Sequence, residues 1–352
     1  MISSFQKLKQ RSLCRKFSEL PKHIKILPSY TQPKKKNIIF HRAESKNPPL
    51  GQTWSNLHEA CYQKTKKQTL ESNSFMGSLC WNGFELMKQR TWRKLTPQKV
   101  KKWKEDPILQ DPQELTKNIK FASKFFGSDL VGITEYDPRW TYVEDSEKIS
   151  QFQKTIVIGI AMDDEAISLG NSFIASGEVA LCYSKLAFVL TLMCKLIEDL
   201  GYKAEASVNG DSLSIPSAIQ AGLGHMGRSS LLINPKYGPG IRLAKIFTNM
   251  PLINDKPLDD DITPICAKCG QCAKKCPTQA ISHSKEPNYD NPTISNNPGV
   301  LKWAVDPEKC FKQWCDLGHD CVICIRVCPF RKKIYGNKST SVQRFMEKIL
   351  NK

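Results

Sequence analysis

No uninterrupted apolar run in this 352-residue chain approaches the roughly 18 residues that suggest a membrane span, so no transmembrane segment is expected. Met1 to Tyr30 has neither a continuous apolar stretch of the secretory kind nor a twin-arginine pair, and the expectation is a cytoplasmic protein. Without an export signal, a disulfide framework has no oxidising compartment in which to form. Acidic side chains are scarce in one region only. Residues 1 to 105 hold 23 Lys+Arg against 6 Asp+Glu, whereas the remainder holds 29 against 28. The net charge of +18 therefore belongs almost wholly to an amino-terminal segment. That segment carries Lys34 to Lys36, Lys64 to Lys67 and Lys99 to Lys104, with Trp54, Trp81, Trp92 and Trp103 between them. Such an arm could contact nucleic acid or another anionic surface, but the favoured reading is a solvated, partly disordered extension.

Against these absences stand 14 cysteines, nine of them crowded into the last third of the chain. Cys266-x2-Cys269-x2-Cys272-x3-Cys276-Pro277 and, farther on, Cys321-x2-Cys324-x3-Cys328-Pro329 have the spacing of a bacterial ferredoxin-like module with two 4Fe-4S clusters. A cubane needs four thiolates from different directions; a tight loop supplies three, and the cysteine before proline ligates the other cluster. Cys266, Cys269 and Cys272 are thus paired with Cys328, and Cys276 with the second run. Cys321 and Cys324 need one more partner, for which Cys310 and Cys315 are the candidates and Cys310 is preferred. Zinc sites are usually built from two separated Cys or His pairs, a layout these runs lack.

Upstream, the pattern predicts an α+β protein. Asp111 caps a helix with Pro112 in its first turn and Leu115 and Ile119 on one face, and Gly127 ends it. Strands are expected at Asp129–Thr134, Thr155–Ile160, Tyr202–Val208, Leu231–Ile233 and Ile241–Phe247, a long helix at Glu178–Leu200 and a short one near Ile215–Ala221. The expected divisions are a basic region over 1–112, a catalytic core over 113–258, the cluster module over 259–335 and a tail over 336–352. Gly222-x-Gly224-x-x-Gly227 has dinucleotide-fingerprint spacing, but it follows a helix and opens a strand, so nicotinamide binding is rejected. The glycines instead allow a close backbone approach to a large flat cofactor, or a tight turn.

The succession Asp211–Pro216, Ala221–Arg228, Leu231–Pro239 and Ile241–Leu252, with Asp137-Pro138-Arg139-Trp140, Tyr183-Ser184 and the cysteine runs, resembles the cobalamin-dependent reductive dehalogenases. The resemblance covers roughly residues 113 to 335. It implies a nitroreductase-like core holding a corrinoid, with the clusters feeding electrons to its cobalt, and replacement of a carbon-bound halogen by hydrogen. It places a proton-donating tyrosine at Tyr183, its cationic partner at Arg242 and a pocket asparagine at Asn209. The cobalamin-binding candidates are Gly222, Gly224, Met226 and Gly227. The resemblance also selects Cys310 over Cys315. Chemically, a guanidinium beside a phenol favours the phenolate, which suits a proton donor. With no reductase domain evident in the sequence, electrons are expected from an external low-potential ferredoxin- or flavodoxin-type donor, and the substrate is expected to be a small organohalide. Two alternatives remain: an epoxyqueuosine reductase-like enzyme acting on tRNA, which the basic arm would suit, and an electron carrier with no substrate.

Overall fold

The computed structural model describes residues 20–44 and 111–331, apart from 23 and 260. The lysine clusters after residue 60, the four interleaved tryptophans, and Cys14, Cys61 and Cys80 lie outside the described residues.

After α1 (Ile39–Glu44), α2 (Pro112–Phe125) starts where Asp111 turns the chain, its carboxylate accepting from the Gln113 and Glu114 amides at 3.1 and 2.9 Å. Leu115 and Ile119 face inward, and Gly127 at φ +107° ends the run. Then follow β1 (Leu130–Glu135), α3 (Ser146–Ile149), β2 (Lys154–Ala161), α4 (Asp164–Ser168), α5 (Phe173–Asp199), β3 (Ala204–Ser207), α6 (Ser214–Gln220), β4 (His225–Met226), β5 (Leu232–Ile233) and β6 (Ile241–Thr248).

Four strands make one sheet in the order β1-β2-β6-β3, every pairing antiparallel, with Ile158 opposite both Val131 and Ala244. β2 is buried from Thr155 to Ile160 because both faces are covered. Ile156, Ile158 and Ile160 share a core with Leu186, Leu190, Met193 and Ile197 of α5, while Val157 packs with Trp140, Ala218 and Ile219 on the α6 side. This is why the strand reads as a continuous apolar run rather than an alternation.

α5 begins five residues before the expected Glu178, because Ser172 Oγ accepts from the Ala175 amide and caps the helix earlier. Gly201, at φ +92°, supplies the stop. Among the described residues α5 alone is long and apolar enough to cross a bilayer, but half of its most apolar stretch is buried, and it is the central helix of the core.

The cysteine-rich part has little regular structure: α7 (Thr263–Cys269), α8 (Gln271–Lys274), α9 (Pro307–Leu317) and α10 (Ile323–Arg326) joined by loops. It docks through Val322 and Ile325, which belong to the α5 core. Residues 20–44 tie the two parts together rather than forming a free extension. Ile26 bridges Val300, the Leu27 amide donates to Gly299 O, and the Tyr30 hydroxyl donates to Arg139 O at 2.8 Å. Arg42 pairs with Glu308 at 2.7 Å, and Phe40 meets Phe311 edge-on. Within the expected basic arm, Lys35 is an ion-pair partner of Asp145 at 2.8 Å, while Lys34 and Lys36 are exposed.

Candidate active site and cluster centre

The nine clustered cysteines resolve into two rings and one bystander. Burial first, and then the facing thiols of Cys266, Cys272 and Cys269, raise the pKa of Cys328 above its ordinary value. The same groups look back at one another: Cys272, pushed up to about 11 by burial, also feels Cys266 and Cys269. In the second ring burial pushes Cys310 up to about 12, with Cys321 and Cys276 as its next contributors. Cys324 is raised by burial and then by Cys310, Cys321, Cys272 and Cys276, which also makes it the point where the rings adjoin. Cys315 packs with Ile39 against Ala43 and Phe311. Among the described residues no three His, Cys, Asp or Glu side chains close around a single metal ion. A cubane spreads its thiolates over four irons, so its ligands stand farther apart than those of a mononuclear site. Buried thiols that destabilise one another's negative charge need a multivalent cation to bind as thiolates, and an iron–sulfur cluster fits both rings.

The second set of residues meets on the α5 face of the sheet. β6 carries Arg242 opposite Ile160 of β2, α5 presents Tyr183, and the turn after β3 presents Asn209. The Asn209 amide donates to the Tyr183 hydroxyl at 2.8 Å, and the Arg242 guanidinium carbon stands 5.6 Å above the Tyr183 ring. This separation lies in the cation–π range. Arg242 Nε is buried with no hydrogen-bond partner. Such an N–H is costly unless an acceptor is brought to it, so the site is arranged for a polar or anionic guest. The spacing within the sequence did not itself place these residues together; the sheet register and the helix crossing do.

The glycine run reads differently in three dimensions. A Cβ at Gly222 would lie 2.3 Å from the Lys256 carbonyl oxygen, and one at Gly224 2.3 Å from that of Ile233. These two glycines make room for the chain's own backbone. Met226 and Gly227, by contrast, line a hollow of about 340 Å³ with Trp303 and the cations Lys22, Lys25 and Lys302. A neighbouring apolar hollow of about 270 Å³, walled by Ile24, Trp140 and Ile219, shares Met226 and Lys302 with it.

Two supporting features were not read from the sequence. Lys245, fully buried on the opposite face of β6, donates from Nζ to Ser212 O and Ser214 Oγ, both at 2.7 Å. It pins the loop that begins at Asn209, and burial lowers its pKa to about 7. A lysine between Ala244 and Ile246, at an inward strand position, was the available signal. The Asp137–Trp140 motif is a latch: Arg139 chelates the Asp137 carboxylate, which also accepts from Gln220 Nε2, and Trp140 Nε1 donates to Gln220 Oε1. Cys182, in the turn of α5 before Tyr183, donates to Glu178 Oε1 at 3.1 Å and is buried in the core.

Residues 265–331 match the family model described as a 4Fe-4S double cluster binding domain. The tetrachloroethene reductive dehalogenase of Sulfurospirillum multivorans is 34% identical over 261 residues, covering 64% of this chain and 52% of that protein. Its counterpart from Desulfitobacterium hafniense is 33% identical over 288 residues, covering 68% and 52%. An epoxyqueuosine reductase from Listeria monocytogenes is 34% identical over a shorter stretch, 97 residues, covering 28% of this chain and 24% of that enzyme. A solved reductive dehalogenase superposes with a TM-score of 0.70 at 22% identity, covering 98% of this chain and 49% of that one. The chain spans about half the length of the curated relatives it matches. Over the matched residues it is a homologue of the reductive dehalogenases, with a mixed helix and strand fold and a double-cluster domain.

Proposed function

From this homology and the site just described, we propose that the chain is a corrinoid- and iron–sulfur-dependent reductase, with a nitroreductase-like core, that replaces a carbon-bound halogen by hydrogen. Two electrons and one proton convert the carbon–halogen bond into a carbon–hydrogen bond and a halide ion. The observation that carries the reading is the contact of Asn209 with the Tyr183 hydroxyl beneath the Arg242 guanidinium.

Each side chain has a task. The Tyr183 oxygen accepts from Asn209, so the proton it donates is its own. The Arg242 guanidinium stabilises the oxygen as that proton leaves, and its buried Nε offers a bond to a departing halide or a polar substrate edge. Lys245 holds the Asn209 loop in register with β6. Met226 and Gly227 are the corrinoid candidates that line a hollow, on the α6 side of the sheet and with Asp261 and Glu286 beside Lys22, Lys25 and Lys302; Gly222 and Gly224 are occupied by backbone and take no part. A bound corrinoid supplies a cobalt centre that, when reduced, is a strong nucleophile or one-electron donor. Electrons reach the chain from an external low-potential donor of ferredoxin or flavodoxin type.

The test is anaerobic reconstitution of the full chain with iron, sulfide and cobalamin, followed by metal analysis and halide release from a panel of organohalides. About eight irons with one cobalt per chain, and halide release, support the reading. Retained cobalt with turnover of an epoxyqueuosine-bearing tRNA in place of organohalides replaces the substrate class. Full iron with no retained cobalt overturns the enzyme reading in favour of an electron carrier.

A further inference from the structure

The two cysteine rings do not have the same electrostatic surroundings. Arg228 follows the glycine run and is only 3% exposed. Its guanidinium donates to four carbonyls: Cys266 at 3.1 Å, Ala267 at 3.3 Å, Ser282 at 2.9 Å and Ser284 at 2.8 Å. It also stacks 4.6 Å over the Trp303 ring. Among the described residues no carboxylate lies within ion-pair distance of it, so a permanent positive charge is buried on neutral dipoles alone. A charge so placed is costly unless something nearby carries the opposite sign. Arg228 lines the cavity that Cys266, Cys269, Cys272 and Cys328 surround, with Cys324 of the second ring also at its wall; the guanidinium is bonded on the first-ring side, to the Cys266 and Ala267 carbonyls. Four thiolates around a cubane leave a net negative charge there, which is the counter-charge this guanidinium lacks.

The second ring has the reverse setting. Asp320 faces Cys321, and Asp306, itself paired with Lys309 at 3.8 Å, faces Cys310. The Asp320 carboxylate is held by Ser176 Oγ at 2.7 Å and not by a cation. Arg331, the other buried guanidinium near the module, is neutralised by two bonds to the Asp164 carboxylate at 2.9 and 2.8 Å. Hydrogen bonding to sulfur does not separate the rings. The amides of Arg228, Ala273 and Phe330 serve the first. Those of Ala280 and Ile323, with the Asn171 side chain and the Thr278 hydroxyl 3.8 Å from Cys276 Sγ, serve the second, so hydrogen bonding does not favour the first ring. Asp261 faces Cys266 as well, but ranks below Arg228 in its influence there. The difference that remains is fixed charge.

We propose that Arg228 sets the order of the two clusters: its buried guanidinium raises the reduction potential of the cluster on Cys266, Cys269, Cys272 and Cys328 above that of the cluster on Cys276, Cys310, Cys321 and Cys324. Each cluster takes one electron from the external low-potential donor, with no bond made or broken and no proton moved. Adding that electron increases negative charge, which a neighbouring cation favours and a neighbouring carboxylate disfavours. Electrons therefore collect on the first-ring cluster. The inference rests on the double-cluster domain and is independent of the substrate.

The experiment is a mediated redox titration of the anaerobically reconstituted full chain, followed by electron paramagnetic resonance. The wild type gives two separate one-electron steps. Arg228→Gln, with iron content unchanged, lowers the upper step by at least tenfold in the reduction equilibrium, 59 mV for a one-electron couple, and leaves the lower step in place. Arg228→Lys, which keeps the charge, retains most of the separation. A single coincident step in the wild type, an unmoved upper step in Arg228→Gln, or a shift of the lower step instead would overturn the proposal. If Arg228→Gln does not assemble both clusters, Asp320→Asn decides: the lower step rises toward the upper one, and an unchanged gap overturns the assignment.

Discussion

The sheet core and the cysteine-rich module are held together by different physics. In the core, β2 and α5 bury Ile156, Ile158, Leu186, Leu190 and Met193 against one another, and regular secondary structure follows from the need to satisfy backbone groups around them. The module's four helices bury little: Ile265, Ala273, Phe311 and Ile325 are the buried apolar residues that α7, α8, α9 and α10 respectively contribute. Its order comes from converging ligands, whose binding energy is folding energy. One half is held by its own apolar core, and the other has little core of its own to replace what bound metal contributes.

The comparison can be broken most severely at a cluster ligand. Cys310→Ser is expected to reduce iron from about eight to about four per chain and to abolish turnover, whereas Cys315→Ser leaves both unchanged; iron analysis with spin quantitation reads the difference. Next in size is Tyr183→Phe, which leaves iron and cobalt content intact and slows turnover about 10²- to 10⁴-fold. A variant within twofold of wild type would remove Tyr183 from the proton path. Ile158→Ala leaves a void between sheet and α5 and costs about 2–5 kcal/mol in urea unfolding, with no shift in either cluster's potential. The most gradual effect is a pH dependence. Lys245 is lowered by burial from 10.5 to about 7 in the folded core, so between these values the unfolded chain binds the extra proton. Its contribution makes stability rise with pH over that window, and below it the burial penalty stands in full. Lys245→Met removes the rise, so wild type gains on the variant by at most about 1.4 kcal/mol per pH unit between pH 7 and 10, measured by paired denaturation curves.

What could be read in the sequence was what is local. Asp111 and Pro112 announce α2 within the residues that form it, and the strand at Thr155–Ile160 is one residue short at each end of β2. The double-cluster domain was legible for the same reason, since Cys266, Cys269 and Cys272 fall within one short loop and Cys321 and Cys324 within another. Features made by distant partners were not. β6 inserts between β2 and β3, an order that no periodicity encodes. Gly222 and Gly224 suggested a cofactor because a glycine leaves space without saying what fills it; the occupants are the Lys256 and Ile233 carbonyls. Residues 25–30 have no apolar rhythm because they are held through backbone bonds to 299–301.

That last pairing imposes a timetable on biogenesis. The segment around Ile26 leaves the ribosome well before its partners Gly299, Val300 and Leu301, with the whole sheet core made in between. Ile24, buried in the finished protein beside Trp140, must wait undocked while the whole sheet forms.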